Sequence, residues 1–382
     1  MAYFVAIGIS ILFSMLSESV LKQVSMREGR GKFAWAIFSV AAVFAVSILN
    51  GIRDYSIGTD VLYYGNSTFE ASLISNSFLE YYHFCDVAIG MHEPGYALLN
   101  WAVSRFTNSP HAFYLVLGLA TNGLAYASAI RFRHYCPVTL SWMTYLLLFY
   151  STSLNLLRQG LSIVMVLFAF GGLLKFGWKR YLIWVLLAFS VHQSAAVAIF
   201  LLPFYMLLTE GGAARDGSRS KRALLVTVAF VVCAAAIPMV VEMIGGIGLL
   251  PEKYVQYLEP SASDRDMTNS ILIRLPFVLL VLWLLIARRG DLDPMHFCLA
   301  AFVLSEFVLL PLQTVSDAAF RISLYFGIFK TVAYPSILYR LRFPRWASLP
   351  VFLSYILFIF IYQVVYSGNG EVYPFLIAPD IF

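Results

Sequence analysis

Charge is scarce in this sequence. Lysine, arginine, aspartate and glutamate make up 12% of the 382 residues, and 60% are hydrophobic; a soluble domain carries about 25% charged residues. An ordinary soluble globule is therefore excluded. Cysteine is also sparse. Cys85, Cys136, Cys233 and Cys298 show no metal-type spacing, and Cys85 has no obvious disulfide partner. The chain has no Walker loop, no Rossmann glycine pattern and no metal-ligand cluster. An energy-coupled ATPase and a flavoenzyme are unsupported, and neither cofactor nor metal is expected. The net charge of +5 is no nucleic-acid signal, so no nucleic-acid partner is expected. The N-terminus lacks the basic n-region and small-residue cleavage site of a signal peptide, so the first apolar run is expected to remain as a helix.

What the chain does have is oil in blocks. Apolar segments run at about 2–20, 33–51, 112–130, 137–152, 157–174, 181–208, 223–241, 271–287, 295–311, 319–338 and 347–366. Many approach the roughly 20 residues that cross a bilayer core, and none shows the alternation of barrel strands over roughly ten residues. The expectation is an all-α, polytopic transmembrane bundle, a single integral membrane domain over 1–382.

Loop charge orients the bundle, because cytoplasmic loops retain Lys and Arg. Basic loops carry Lys22, Arg27, Arg30 and Lys32, then Arg131 and Arg133, then Lys175, Lys179 and Arg180. The alternate loops are acidic, with Asp54, Asp60, Glu70, Glu80, Asp86 and Glu93 in the first of them. With the basic set inside, both termini face outward, and two large outer loops span 52–111 and 242–270. Within the first, residues 94–106 read as an interfacial amphipathic helix with a proline at its start. Residues 181–208 lie between two basic loops and are interrupted by Ser190, His192, Gln193 and Ser194. They read as a hairpin of short or re-entrant helices with His192 near its tip, or as one long tilted helix. The total is about ten full spans plus that segment.

Positive charge on the outer side works against this sorting. Arg53, Arg158, Arg274 and Arg321 all sit at or near the outer ends of apolar segments. Arginine at membrane depth costs several kcal/mol unless something stabilises it. Its planar fork suits phosphate, and Arg158 and Arg274 lie near helix starts, where an anion is favoured. A lipid-linked phosphate is one occupant; snorkelling or pairing with a nearby acid, such as Asp54 for Arg53 or Asp317 for Arg321, is the plainer alternative. His192 either hydrogen-bonds a neighbouring helix or takes a proton from a sugar hydroxyl. Asp60, His92 and Glu93 are further bases or simply polar loop residues. Tyr63 and Tyr64 offer flat faces for sugars, although tyrosine is common at membrane interfaces. Glu306, inside an apolar segment, is expected to neutralise a neighbouring arginine.

Five short motifs occur in order: "GIRDYSIGTDVLYY", "HEPGYALLN", "NLLRQGLSI", "SVHQSAAV" and "RISLYFGIF". Together they resemble EpsG-type proteins, the Wzy-like polymerases of exopolysaccharide, capsule and O-antigen, from about residue 50 to residue 330. The tail departs from the family's aromatic-proline-tyrosine ending, with only Tyr373-Pro374-Phe375 approximating it, so no tail contribution to the site is expected. The resemblance implies a metal-independent, inverting glycosyltransferase acting on the outer face of the cytoplasmic membrane. It would join an undecaprenyl-pyrophosphate-linked glycan donor to a lipid-linked acceptor, with flippase and chain-length regulator proteins as partners. Under that implication Arg158, Arg321, Arg274 and Arg53 bind pyrophosphate, and His192, Asp60 or Glu93 is the base. Asn155 and Gln159 orient the donor, while Tyr63, Tyr64 and Asp60 hold sugar. The rival readings are a polysaccharide ligase with another acceptor and a transporter of a lipid-linked saccharide or organic anion.

Overall fold

The computed structural model describes residues 1–23, 29–209, 218–230, 232, 267–287, 292–311, 317–341 and 343–381. Most of the outer loop expected at 242–270, and much of the apolar segment at 223–241, lie outside the described residues. All regular structure among the described residues is helical, apart from one antiparallel bridge between Arg53 and Ile377. Among the described residues, five helices are long and apolar enough to cross a bilayer: Ala2–Gln23, Gly31–Ile52, Pro110–Arg131, Thr268–Ala287 and Arg345–Tyr366. Four shorter apolar helices accompany them. The protein is thus a helical membrane protein.

The chain forms two compact units, Met1–Ala196 with Phe343–Phe382, and Val197–Arg342. In the first unit, α1 (Ala2–Gln23) packs on α2 (Gly29–Ile52) through small residues. Ser10 Oγ donates to the Ala42 carbonyl at 2.6 Å, and Ser17 and Ser39 share a bond of 2.8 Å. Small side chains let backbones approach where burial of oil provides no drive between helices. The opposite face of α1 exposes Val5, Ile9, Leu12 and Met15, the apolar exterior expected of a helix in lipid.

The long loop at 52–111 is not irregular. A π-helical turn (Val61–Gly65) leads into α3 (Asn66–Ile74), α4 (Phe78–Ile89) and α5 (Pro94–Ser104). Ser77 caps α4 by accepting from the Glu80 backbone, and Gly90 closes it in the left-handed conformation. The helix expected at 94–106 is α5. It starts at Pro94 and buries Tyr96, Ala97, Asn100 and Ser104, packing against α3, α4 and α10. The exposed apolar residues Leu79, Phe84 and Val87 lie on α4 instead.

Beyond α6 (Pro110–Arg131), the segment expected at 137–152 is broken at Phe149 into α7 (Val138–Leu148) and α8 (Tyr150–Asn155). A second break at Leu156 opens α9 (Leu157–Gly171). Then α10 (Leu173–Val191) ends at His192, whose backbone is extended, and a 3₁₀ turn (Gln193–Phe200) and α11 (Leu201–Thr209) follow. The expected interruption near residue 192 is present.

In the second unit the apolar helix Pro294–Leu309 packs on Met267–Ala287, α11, Asp317–Gly327 and Lys330–Arg340. The segment expected at 319–338 is divided by a turn at Ile328–Phe329.

Candidate active site

The break before α9 is the structural centre of the site. The segment 53–60 fastens it with three hydrogen bonds. Arg53 Nη1 donates to the Leu154 carbonyl. The Thr59 N–H donates to Asn155 Oδ1 at 2.6 Å, and the Leu157 N–H donates to Asp60 Oδ2 at 2.8 Å. Leu157 is the first residue of α9, so Asp60 satisfies one of the donors that a helix start leaves unpaired, and its charge complements the helix dipole. Gly58 permits this approach. Its φ is +91°, and a Cβ there would meet the Leu154 carbonyl oxygen at 3.0 Å. The glycine, threonine and aspartate of "GTD" thus have separate tasks at one break.

Arg158, the second residue of α9, lies in that frame. Its guanidinium stands 4.3 Å from the centre of the Tyr64 ring, and the Tyr64 hydroxyl donates to Asp60. Arg158 Nη1 bonds Glu93 Oε2 at 2.7 Å, and the other oxygen of Glu93 lies 3.0 Å from His192 Nδ1. Glu93 thereby bridges the arginine and the imidazole, and it is buried at 5% exposure. Burial acts to raise its pKa. The His192 hydrogen bond and the Arg158 charge outweigh that and hold it below the usual carboxylate range.

The local fold explains how a residue in a long loop reaches a helix end. Glu93 precedes Pro94 at the entry to α5, and Gly95 lies against the end of α10. A Cβ on Gly95 would fall 2.4 Å from Ser190 Oγ and 3.0 Å from the Ser190 carbonyl oxygen. Glycine at 95 leaves room for α5 to dock there and carry Glu93 to His192. Ser162 Oγ, donating to the Ala188 carbonyl at 3.0 Å, ties α9 to the same end of α10.

Of the residues anticipated from sequence, Asp60, Tyr64, Glu93, Asn155, Arg158 and His192 come together in the first unit, with Gln159 buried on α9 beside Arg158. Tyr63 is 75% exposed. Arg53 departs most from expectation. It is fully buried, its guanidinium lies 4.7 Å from the Tyr114 ring centre, and it does not pair with Asp54, which bonds Ser56. Its neighbours make it a fastener of the helix break. Nor is Glu93 a solvated loop acid. Arg274 and Arg321 belong to the second unit, where Arg274 meets Glu306, the neutralising partner anticipated for that acid.

The tail was missed. Backbone bonds join Asp54 to Leu376 (2.9 Å), Ala378 to Ile52 (3.0 Å) and Gly58 to Glu371 (3.2 Å). Thr59 Oγ1 donates to Glu371 Oε2 at 2.6 Å, and the Tyr3 hydroxyl donates to the Val372 carbonyl at 2.7 Å. The C-terminus therefore holds the very segment that fastens the break. No local signal in "GEVYPFLIAPDIF" marks a partner some 312 residues earlier.

A carboxylate that accepts Nδ1–H fixes an imidazole's tautomer and leaves Nε2 as its basic atom. A guanidinium beside it stabilises growing negative charge. The arrangement can therefore combine general-base and electrostatic chemistry. No group of His, Cys, Asp and Glu suited to a metal ion occurs among the described residues. No curated protein and no solved structure matches the chain. The model of the EpsG family does match, over residues 36–376 and so nearly the whole chain, which makes this membrane protein a member of the EpsG family, with the polysaccharide-polymerase type of role which that membership carries.

Proposed function

We infer that the protein is an inverting glycosyltransferase that polymerises undecaprenyl-pyrophosphate-linked repeat units on the outer face of the cytoplasmic membrane. The observation that carries the reading is the bridge from Arg158 through Glu93 to His192. His192 Nε2 removes the proton from the acceptor hydroxyl, while Glu93 orients the ring and stabilises the imidazolium that forms. The hydroxyl oxygen attacks the anomeric carbon of the donor. The bond from that carbon to the phosphate oxygen breaks, and its electron pair leaves with undecaprenyl pyrophosphate. Back-side displacement inverts the anomeric centre. A pyrophosphate leaves without an acid, so the two-carboxylate arrangement of glycosidases is unnecessary.

Arg158 supplies charge stabilisation as the diphosphate departs. A guanidinium has five N–H donors, and Glu93 engages one nitrogen. Arg274 and Arg321, in the second unit, are separate candidates for holding a phosphate-class anion. Asp60 serves the site by fastening α9 and Tyr64, which makes His192 the stronger assignment for the base.

The test is polymerisation in lipid nanodiscs with a defined lipid-linked repeat and no ion gradient. Wild type should yield a ladder of products, and His192→Ala and Arg158→Ala should lose it. Undiminished chain growth in both variants would overturn the reading. A ladder formed without a gradient separates this reaction from transport, and transfer to a second, non-repeat acceptor would identify a ligase. Impermeant thiol reagents should label Tyr63→Cys from outside the cell; labelling only from inside would reverse the orientation.

A further inference from the structure

The second unit contains a charge cluster in which the reading above uses only Arg274. Glu306 lies on the apolar helix Pro294–Leu309 and is 4% exposed. A single one of its oxygens, Oε1, accepts from Arg274 Nε at 3.0 Å and from Lys330 Nζ at 2.7 Å. Arg274 sits inside the long apolar helix Met267–Ala287, and Lys330 opens the helix Lys330–Arg340 just after the turn at Ile328–Phe329. Two cations share one carboxylate, and among the described residues no second carboxylate pairs with either. The cluster thus carries a net positive charge against two apolar helices, a costly state in a membrane that a bound anion relieves.

The remaining donors are defined. Arg274 directs Nη1 to the Ser270 carbonyl at 2.9 Å and Nε to Glu306, while Lys330 donates to Glu306. A guanidinium carries five N–H bonds and an ammonium three, so both cations keep donors in reserve. Their side chains remain 18% and 13% exposed, against 5% for Glu306. The carboxylate is shut in and the cations are not. Because both nitrogens bond one oxygen atom, they stand within two hydrogen-bond lengths of each other, close enough to share one tetrahedral oxyanion.

We propose that Arg274 and Lys330, braced by Glu306, form a seat for a phosphate-class anion in the second unit. Lys330 is its additional binding residue, and Glu306 is both its splint and the limit on its affinity. The seat rests on the glycosyltransferase reading, in which Arg274 is a separate candidate for a phosphate-class anion, but it is tested without turnover.

The whole protein in phosphatidylcholine nanodiscs, with no acceptor present, is titrated with geranyl diphosphate, inorganic pyrophosphate and geraniol. Binding is read by native mass spectrometry and by the rise in unfolding temperature. Lys330→Met should weaken geranyl diphosphate at least tenfold, and Lys330→Arg should retain most of the affinity. Glu306→Gln should tighten it severalfold with a steeper salt dependence, because a competing carboxylate is removed; a purely structural triad would not give that sign. Equal binding of both diphosphates would mark a seat for free phosphate, and preference for the prenyl form a lipid-borne one. The seat is overturned if Lys330→Met and Glu306→Gln both bind as wild type does, if geraniol binds equally well, or if only Arg158→Ala loses binding. Should Lys330→Met fail to fold, Lys330→Arg and Glu306→Gln decide. Loss of polymerisation in His192→Ala with intact anion binding, or the converse, separates the fate of this seat from that of the catalytic reading.

Discussion

Removing Glu93 should expose how the site is held together. In Glu93→Ala, Arg158 keeps its charge without its carboxylate, and His192 Nδ1 loses its acceptor. Breaking a buried ion pair on one side costs about 3–5 kcal/mol. Arg158 retains 22% of its side-chain exposure, so some water reaches the orphaned charge and the lower end applies, about 3 kcal/mol. At roughly 2–4 °C per kcal/mol, Tm should fall by about 6–12 °C. Arg158→Ala leaves Glu93 bonded to His192 alone. The double variant removes both charges and should be less destabilised than the sum of the single variants by about 1–3 kcal/mol. Differential scanning fluorimetry in nanodiscs gives all three values; strict additivity would refute the pairing.

The pH dependence follows from the same contacts. Glu93 has a depressed pKa in the folded protein. Its ionisation therefore stabilises fully above the unfolded carboxylate value of about 4.3, and that contribution is lost as pH falls through the lower, folded value. The stability gap between wild type and Glu93→Gln should hold from neutral pH to about 5 and close only in stronger acid. A gap that widens on acidification contradicts the assignment. Polymerisation should fall by about 100-fold or more in Glu93→Gln, because the imidazole loses the carboxylate that orients it and stabilises its charged form.

Asp60→Ala should cost about 1–2 kcal/mol through loss of the contact that caps α9, with Asp60→Asn recovering part of it; equal Tm values for the two variants would argue against capping. Gly95→Ala should destabilise by about 1–3 kcal/mol, since the added methyl meets Ser190 side chain and backbone, and it should lower activity in step; a silent substitution would show that α5 does not depend on that approach. Truncation after Gly370 removes the tail's bonds to residues 52–59, so limited proteolysis should cut that segment faster and polymerisation should drop. An unchanged digestion pattern would show that this segment holds itself.

Much of the site was legible as motifs, because the residues nearest the break are local in sequence. Asn155, Arg158 and Gln159 read together as polar groups at the head of an apolar run, and His192 stood out as an interruption. Their partners were not legible. Glu93 lies 65 residues from Arg158 and 99 from His192, and nothing near "HEPG" announces either contact. Arg53 was misread for a physical reason. Sequence places a charge at the end of an apolar segment but does not tell the rim from the interior, and here Tyr114 and the Leu154 carbonyl receive it inside. Lys330 was passed over because it stood within an apolar segment without an acid nearby in sequence.

By itself the sequence determined the solvent and the class of structure. Long apolar blocks make each helix a local consequence of composition, since a backbone in lipid must satisfy its own hydrogen bonds. Only the tertiary structure decided which charges meet. The breaks at Leu156, His192 and Ile328–Phe329 bring together side chains from distant segments, and pairing between them depends on ångström-scale approach that no linear pattern encodes. The carboxylate of Glu93 between Arg158 and His192, the tail across residues 52–59, and the two cations on Glu306 all belong to that second kind of information.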